Sequence, residues 1–333
     1  MNIKESSLFW PAKLKAGILS VLDETLIPNK FRYISVRNTK GAVDVIHNAK
    51  TRIFGQFLVV LNTFLLELGK IKSPKKGDFK SQQKVLKKVQ DVAHDLNKSR
   101  QGFPFSDVTL IIVRWAIMAI DSGLDVKSFV KNNTEGYLES IRIKRLERVE
   151  KLSEIIEDGD SILTHYNVSG ELAMAAYLCK KQKKDIRFFV AETRPNFEGA
   201  KLTCWELEEM GARATLIADN AVGSVMSDRL VNKVIVGSDR SCANGDLSSK
   251  VGTYQIAVAA RHFYIPFYAL TQPSDLIRTG KDIPVEIRHS SELLKFNNKK
   301  IIRGEVDGFY PGFDIVPHDL ITKSIPISVT ENA

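Results

Sequence analysis

The pattern of apolar and polar positions changes period near residue 160 of this 333-residue chain. Before it, "AVDVIHNA", "FGQFLVVLNTFLLELG", "VTLIIVRWAIMAIDSG" and "YLESIRIKRLERVEKLSEIIE" place apolar residues at helical spacing. Residues 15–37 differ: short apolar runs broken by Asp23-Glu24 and Pro28-Asn29 predict strands of a small sheet. "KSPKKGD" and "NKSRQGFPFSD" punctuate the helical stretch. Asp107 precedes an apolar run and is placed to cap a helix, and Gly159 is placed to end the last one.

After Asp160 five β-rich apolar runs follow: "SILTHY", "IRFFVAE", "ATLIA", "VNKVIVGSD" and "IPFYALT". Between them lie "GELAMAAYLCKKQ", "AKLTCWELEEMG", "NAVGSVMSD" and "SSKVGTYQIAVAARHF", all read as helical. Strands alternating with helices predict a parallel sheet covered on both faces. The fold expected is α/β. A mostly helical domain with a small antiparallel sheet spans 1–157 and ends in a long connecting helix. A doubly wound, Rossmann-like domain spans 158–333.

Bulk properties narrow the function. Hydrophobic residues make up 44% of the chain, enough for full cores. No apolar run approaches the roughly 18 residues of a membrane span, so no membrane partner is expected. The start "MNIKESSLFWPAK" has no apolar signal core, and Cys179, Cys204 and Cys242 lack metal spacing and cannot all pair. A cytoplasmic location is expected. The net charge of +9 is concentrated between Lys70 and Arg100, where ten Lys/Arg face three Asp, a net of +7. That segment has one aromatic residue, Phe79, and no nucleic-acid motif. Its second half puts Val85, Val89, Val92 and Leu96 on one helix face, so the charge reads as a solvated surface and nucleic acid is not expected as a partner.

In a doubly wound sheet ligands sit at the carboxyl ends of strands. The polar turns there are "THYNVSG", "AETRPNFEG", "IADNAVGS" and "VGSDRSCANGD". Dinucleotide, Walker and nucleophile-elbow motifs are absent. Asp239 follows "VIVGS", where a carboxylate serves as acid or base, or else caps a turn or pairs with Arg240. "NVSG" suits a phosphate at a helix start, or marks an ordinary N-cap by Ser169. Arg194 contacts an anion or, the preferred reading, ties loops together. His165 reads as a hydrogen-bonded strand-end residue. The Tyr166 ring fills a pocket, or its hydroxyl, with a reference pKa of about 10, acts as an acid.

The blocks "ILTHYNVSG", "AETRPNFEGAKLTCWELEEMGARATLIAD", "VIVGSDRSCANGD", "KVGTYQIAVAARHFYIPFYA", "GKDIPVEIR" and "GFDIVPHDLIT" resemble successive blocks of the methylthioribose-1-phosphate isomerases. The broader family includes ribose-1,5-bisphosphate isomerase and the alpha, beta and delta subunits of translation initiation factor 2B. "LDETLIP" is similar too. The resemblance is dense from Ser161 onward and thin between about Asn38 and Glu150. It implies an aldose–ketose isomerisation of a phosphorylated sugar without metal or organic cofactor, as in methionine salvage or a related pentose-phosphate route. It also implies a homodimer formed through the C-terminal domain. A non-catalytic regulatory homologue, sensing a sugar phosphate or a nucleotide-like ligand, is the other role within it.

The family's catalytic pair is a cysteine in "THCN" and an aspartate in "GADR". Carried over, the aspartate is Asp239, while Tyr166 stands at the cysteine's position. The turn around it keeps Asn167 and Gly170. Of the implied substrate and phosphate contacts, Arg52 matches, Glu198 replaces a glutamine, and Ser249-Lys250 replaces an Asn-Lys pair. Asp107 aligns with a phosphate-binding arginine. A carboxylate about 5 Å from a phosphate charge costs about 3 kcal/mol at an effective dielectric near 20. Changes of that kind, gathered in one site on an unaltered scaffold, imply an altered active site. Cys242, three residues after Asp239, is a second thiol whose expected role is packing.

Overall fold

The structure, a computed structural model, describes residues 3–73, 78–100, 105–272, 277–296 and 299–327. The chain forms two compact units, Trp10–Ile143 and Met1–Phe9 with Lys144–Ala333. They part inside one long helix, and the first nine residues belong with the C-terminal unit.

In the unit Trp10–Ile143, strands β1 (Ala12–Lys15), β2 (Ile18–Leu22) and β3 (Tyr33–Val36) form an antiparallel meander. Helix α1 (Thr39–His47) is capped by Asn38, whose side chain accepts from the Gly41 N–H. Helix α2 (Ile53–Gly69) is apolar nearly all round, and it is buried all round, packing on β1, β2 and α1. Helices α3 (Phe79–Lys98), α4 (Ser106–Asp121) and α5 (Val126–Ile155) follow. On α3 the expected face is buried: Val85, Val89, Val92 and Leu96. Its cations face outward or pair, Lys87 with Asp91 at 2.9 Å and Lys88 with Glu67 at 3.0 Å. Part of the basic segment, residues 74–77, lies outside the described residues. Asp107 does not cap α4. The N-cap is Phe105, and Asp107 sits in the first turn, where a carboxylate still meets the positive helix end.

In the C-terminal unit, β4 (Ser161–Thr164) leads to α6 (Glu171–Lys181), β5 (Arg187–Ala191) to α7 (Cys204–Glu209), and β6 (Arg213–Ile217) to α8 (Val222–Ser227). Then come β7 (Lys233–Gly237), β8 (Arg240–Ser241), β9 (Leu247–Lys250), α9 (Thr253–His262) and β10 (Phe267–Thr271). The strands β11 (Lys295–Phe296), β12 (Lys299–Lys300), β13 (Phe313–Val316) and β14 (Lys323–Pro326) complete it. The main sheet runs β6-β5-β4-β7-β10-β14, all parallel. All five expected strands are present, and β14 adds a sixth on the edge. The order is that of a doubly wound sheet, reversing between β4 and β7. Leu163, Val234, Val236, Phe267 and Ala269 bury one sheet face beneath Val222, Met226, Ile256 and Ala260.

The run from Ser248, read as helical, is divided. Ser248–Lys250 belong to β9, which pairs with β8 and β13. A tight turn closes the β8–β9 hairpin, with the Cys242 N–H on the Asp246 carbonyl at 2.8 Å. The helix begins only after Gly252, whose φ of 103° turns the chain. There the Asp314 carboxylate accepts from the N–H groups of Gly252 at 2.6 Å and Tyr254 at 3.1 Å.

Candidate active site

The order reverses between β4 and β7, the place where doubly wound sheets bind their ligands, and two sequence-derived groups follow those strands. The turn after β4 carries His165, Tyr166 and Asn167, and the turn after β7 carries Asp239. The β4 turn is strained: Tyr166 (φ 63°), Ser169 (φ 48°) and Gly170 (φ 85°) are all left-handed. For a non-glycine residue that costs on the order of 1 kcal/mol and persists only where surroundings enforce it.

The surroundings can be named. The Tyr166 N–H donates to Thr193 Oγ1 at 3.0 Å, and its carbonyl accepts from the Thr203 hydroxyl. Asn167 Nδ2 donates to Thr203 Oγ1 at 3.1 Å and to Glu206 Oε1 at 2.8 Å, while its Oδ1 accepts from the Ser169 N–H at 2.9 Å. Both ends of the Asn167 amide therefore hold the turn. Ser169 does not cap α6; Gly170 is the N-cap residue, without a side-chain bond. A Cβ on Gly170 would lie 2.7 Å from the Phe9 backbone nitrogen, so glycine is required by space as well as by φ.

Beneath the turn, α5 supplies two buried arginines. Arg145 donates to Glu171, to the Phe9 carbonyl at 2.6 Å and to the Ser169 carbonyl at 2.7 Å. Arg148 donates to both Glu171 oxygens and to the Thr271 carbonyl at 2.9 Å. Burial works to raise the Glu171 pKa, but the two guanidiniums hold it below the usual carboxylate range.

The β5 turn approaches from the other side. Thr193 and Arg194 each donate a backbone N–H to the Asp219 carboxylate, at 2.8 and 2.7 Å. The Arg194 guanidinium lies over the Phe197 ring, 5.0 Å from its centroid, so this arginine ties the loop together. Glu198 is buried just ahead of the π-helical turn Gly199–Thr203. That turn needs Gly199, because a Cβ there would stand 1.9 Å from the Ala191 carbonyl oxygen.

The β8–β9 hairpin folds back over the end of β7. The Asp239 N–H donates to the Ser248 carbonyl at 2.8 Å, and Ser249 Oγ donates to the Gly237 carbonyl at 3.0 Å. Lys250 is buried and donates to the Tyr310 hydroxyl. Thr253 Oγ1 gives its one proton to the Lys250 carbonyl at 2.7 Å, so it accepts from His165 Nδ1 at 3.1 Å. His165 Nε2 is thereby the bare nitrogen. Burial is the main cause that lowers the His165 pKa to about 4; Lys250 lowers it further, against the nearby charges of Asp219 and Glu198. The imidazole is neutral at pH 7.

Tyr166, Asn167, Gly170, Glu198, Asp239, Ser249 and Lys250 thus share the C-terminal unit and the carboxyl end of its sheet. Arg52 lies in the other unit, at the N-cap of α2, with its Nε 3.7 Å from the Glu24 carboxylate. Burial raises the Glu24 pKa despite that cation. The Cys242 thiol is buried and is pushed up to about 11, chiefly by burial and then by Asp246 and Asp282. At neutral pH it is no thiolate nucleophile. Among the described residues, no group of three or more His, Cys, Asp or Glu is arranged to hold a metal ion.

Sequence reading missed Tyr310, Thr193, Thr203 and the Arg145–Glu171–Arg148 cluster. Thr193 and Thr203 lie inside family-like blocks and Tyr310 just before one, which is a weak signal. Arg145 and Arg148 sit in a charge run of the kind that normally faces water.

Comparison with known proteins places the chain among relatives. Residues 57–326 match the initiation factor 2 subunit family. A methylthioribose-1-phosphate isomerase of Desulforudis audaxviator is 32% identical, over 96% of this chain and 92% of the relative. A 5-deoxyribose 1-phosphate isomerase of Clostridium botulinum is 33% identical, over 92% and 90%. The crystal structure of the delta subunit of translation initiation factor eIF-2B from A. fulgidus superposes with a TM-score of 0.76 at 28% identity, covering 96% of this chain and 94% of that one.

Proposed function

Since the chain belongs to the initiation factor 2 subunit family, we propose that it is a sugar-phosphate aldose–ketose isomerase with an altered active site. The observation that carries this reading is the position of Asp239, held beyond β7 at the sheet's reversal, opposite the strained turn that presents Tyr166. Relatives named as isomerases of 5-methylthioribose and 5-deoxyribose 1-phosphates support the substrate class.

In this reading the sugar ring opens and hydrogen passes from C2 to C1. Asp239 is the acid–base group beside those carbons. Tyr166 takes the place of a thiol and offers a phenolic hydroxyl to the substrate oxygens. Lys250 supplies positive charge for the phosphate, and Glu198 makes the site less anion-tolerant than a glutamine would. The backbone of the Asn167–Gly170 turn completes the pocket. A homodimer through the C-terminal unit and a cytoplasmic location belong to the same proposal. Exposed Tyr254, Val258 and Tyr264 in that unit are consistent with a covered face.

The test is direct. Purified protein is incubated with 5-methylthioribose 1-phosphate, and with ribose and deoxyribose phosphates, and followed by carbon NMR. A ketose phosphate product is expected from at least one of them, and none from any would overturn the reading. Tyr166 favours a second reading, a regulatory homologue that binds such a ligand without converting it. Saturable binding with no product is its expected outcome.

A further inference from the structure

The hydrogen bond from Lys250 to Tyr310 has a chemical consequence. A phenol oxygen that accepts from an ammonium group keeps its own proton for donation. Tyr310 is almost fully buried, and its hydroxyl pKa is pushed above the usual phenol value, by burial first and then by the Glu198 carboxylate. The hydroxyl is therefore neutral and a donor at pH 7. Its backbone is fixed, since the Tyr310 carbonyl accepts from the Arg288 N–H at 2.8 Å. The Lys250 Nζ lies 5.0 Å from the Tyr310 ring centroid, at the hydroxyl end of the ring.

The neighbouring hydroxyl cannot do the same work. Ser249 has one proton, and it goes to the Gly237 carbonyl at 3.0 Å. Beside Lys250, the donor is Tyr310.

We propose that Tyr310 is a ligand-contacting, specificity-determining residue of this site: its hydroxyl, aimed by Lys250, donates a hydrogen bond to an anionic phosphate oxygen of the bound sugar phosphate. The inference rests on the function proposed above. A hydrogen bond to a charged acceptor strengthens binding by about tenfold or more. An uncharged sugar gains little from the same donor.

The experiment compares wild-type protein with Tyr310→Phe, which keeps the buried ring. Titration calorimetry uses three probes: inorganic phosphate, 5-methylthioribose 1-phosphate and unphosphorylated 5-methylthioribose. The expected result is a rise in Kd of about tenfold for both phosphate-bearing probes, with the unphosphorylated sugar unchanged and the melting temperature retained. Lys250→Met, which removes the orienting cation, is expected to weaken the same two probes. Wild-type binding that Tyr310→Phe leaves unaltered overturns this proposal and leaves the isomerase reading standing. An equal loss for all three probes marks a packing role and also overturns it. Wild-type binding and the Tyr310→Phe effect without any turnover would remove the isomerase reading alone, and a wild type that binds none of the probes would remove both.

Discussion

Arg148 and Glu171 meet side on: Nε donates to Oε2 at 2.5 Å and Nη2 donates to Oε1 at 2.7 Å. Arg145 reaches the same carboxylate and extends the contact to the Ser169 carbonyl at 2.7 Å. The Glu171 carboxylate thus joins two buried cations and ties the long helix α5 to the strained turn after β4.

Removing that acid leaves two guanidiniums desolvated. Glu171→Gln is expected to destabilise the protein by about 3–5 kcal/mol, read from urea unfolding. The wild-type contribution has a defined pH sense. The folded pKa of Glu171 is lowered, so its stabilisation is present above the ordinary carboxylate pKa and is lost as pH falls through the folded value. In Glu171→Gln the acid limb of the stability profile should be shallower.

Gly170→Ala tests the turn itself. The substitution meets a φ of 85° and a backbone nitrogen 2.7 Å away, neither of which can yield cheaply. A loss of about 2 kcal/mol or more is expected in thermal or denaturant unfolding. Gly123, also left-handed at φ 65° but with open space around it, is the control. Gly123→Ala should cost less.

His165 sets a second pH dependence. Its folded pKa is lowered to about 4, chiefly by burial, so the folded chain holds the neutral ring. The unfolded ring takes up a proton below about pH 6.5. The stability it confers is full above that value and declines as pH falls toward about 4. His165→Gln can still donate to Thr253. Melting temperatures measured across this window should fall less steeply in that variant than in wild type.

Asp239→Asn is isosteric and keeps its backbone bond to the Ser248 carbonyl. A drop in kcat of about 10²–10⁴-fold is expected with the melting temperature little changed. Turnover equal to wild type would remove Asp239 from the acid–base role.

Much of the fold could be read from periodicity. Runs such as "IRFFVAE" and "VNKVIVGSD" are bounded, β-rich and spaced by helical stretches, so their strands announce themselves. Lys323–Pro326 does not. It is a four-residue edge strand ending in proline, and only its pairing with β10 makes it a strand. Ser248–Lys250 were hidden for a related reason: their pairing with β8 and β13 outweighs local helical character. Of the candidate site, Tyr166, Asn167, Gly170, Asp239 and Lys250 were legible because they sit in turns at strand ends or in family-like blocks. Tyr310 was not, because nothing local marks a tyrosine whose partner lies sixty residues away.

What the sequence determined alone is the alternation that builds a doubly wound sheet, and the family. These are local in the chain, or visible block by block. How the candidate site is held and charged depends on contacts made in three dimensions. The strained turn, the neutral His165 with its bare Nε2, the buried Arg145–Glu171–Arg148 cluster and the Lys250–Tyr310 bond all join residues distant in sequence. Their energies come from burial and hydrogen bonding, which exist only once the sheet has brought its strand ends together.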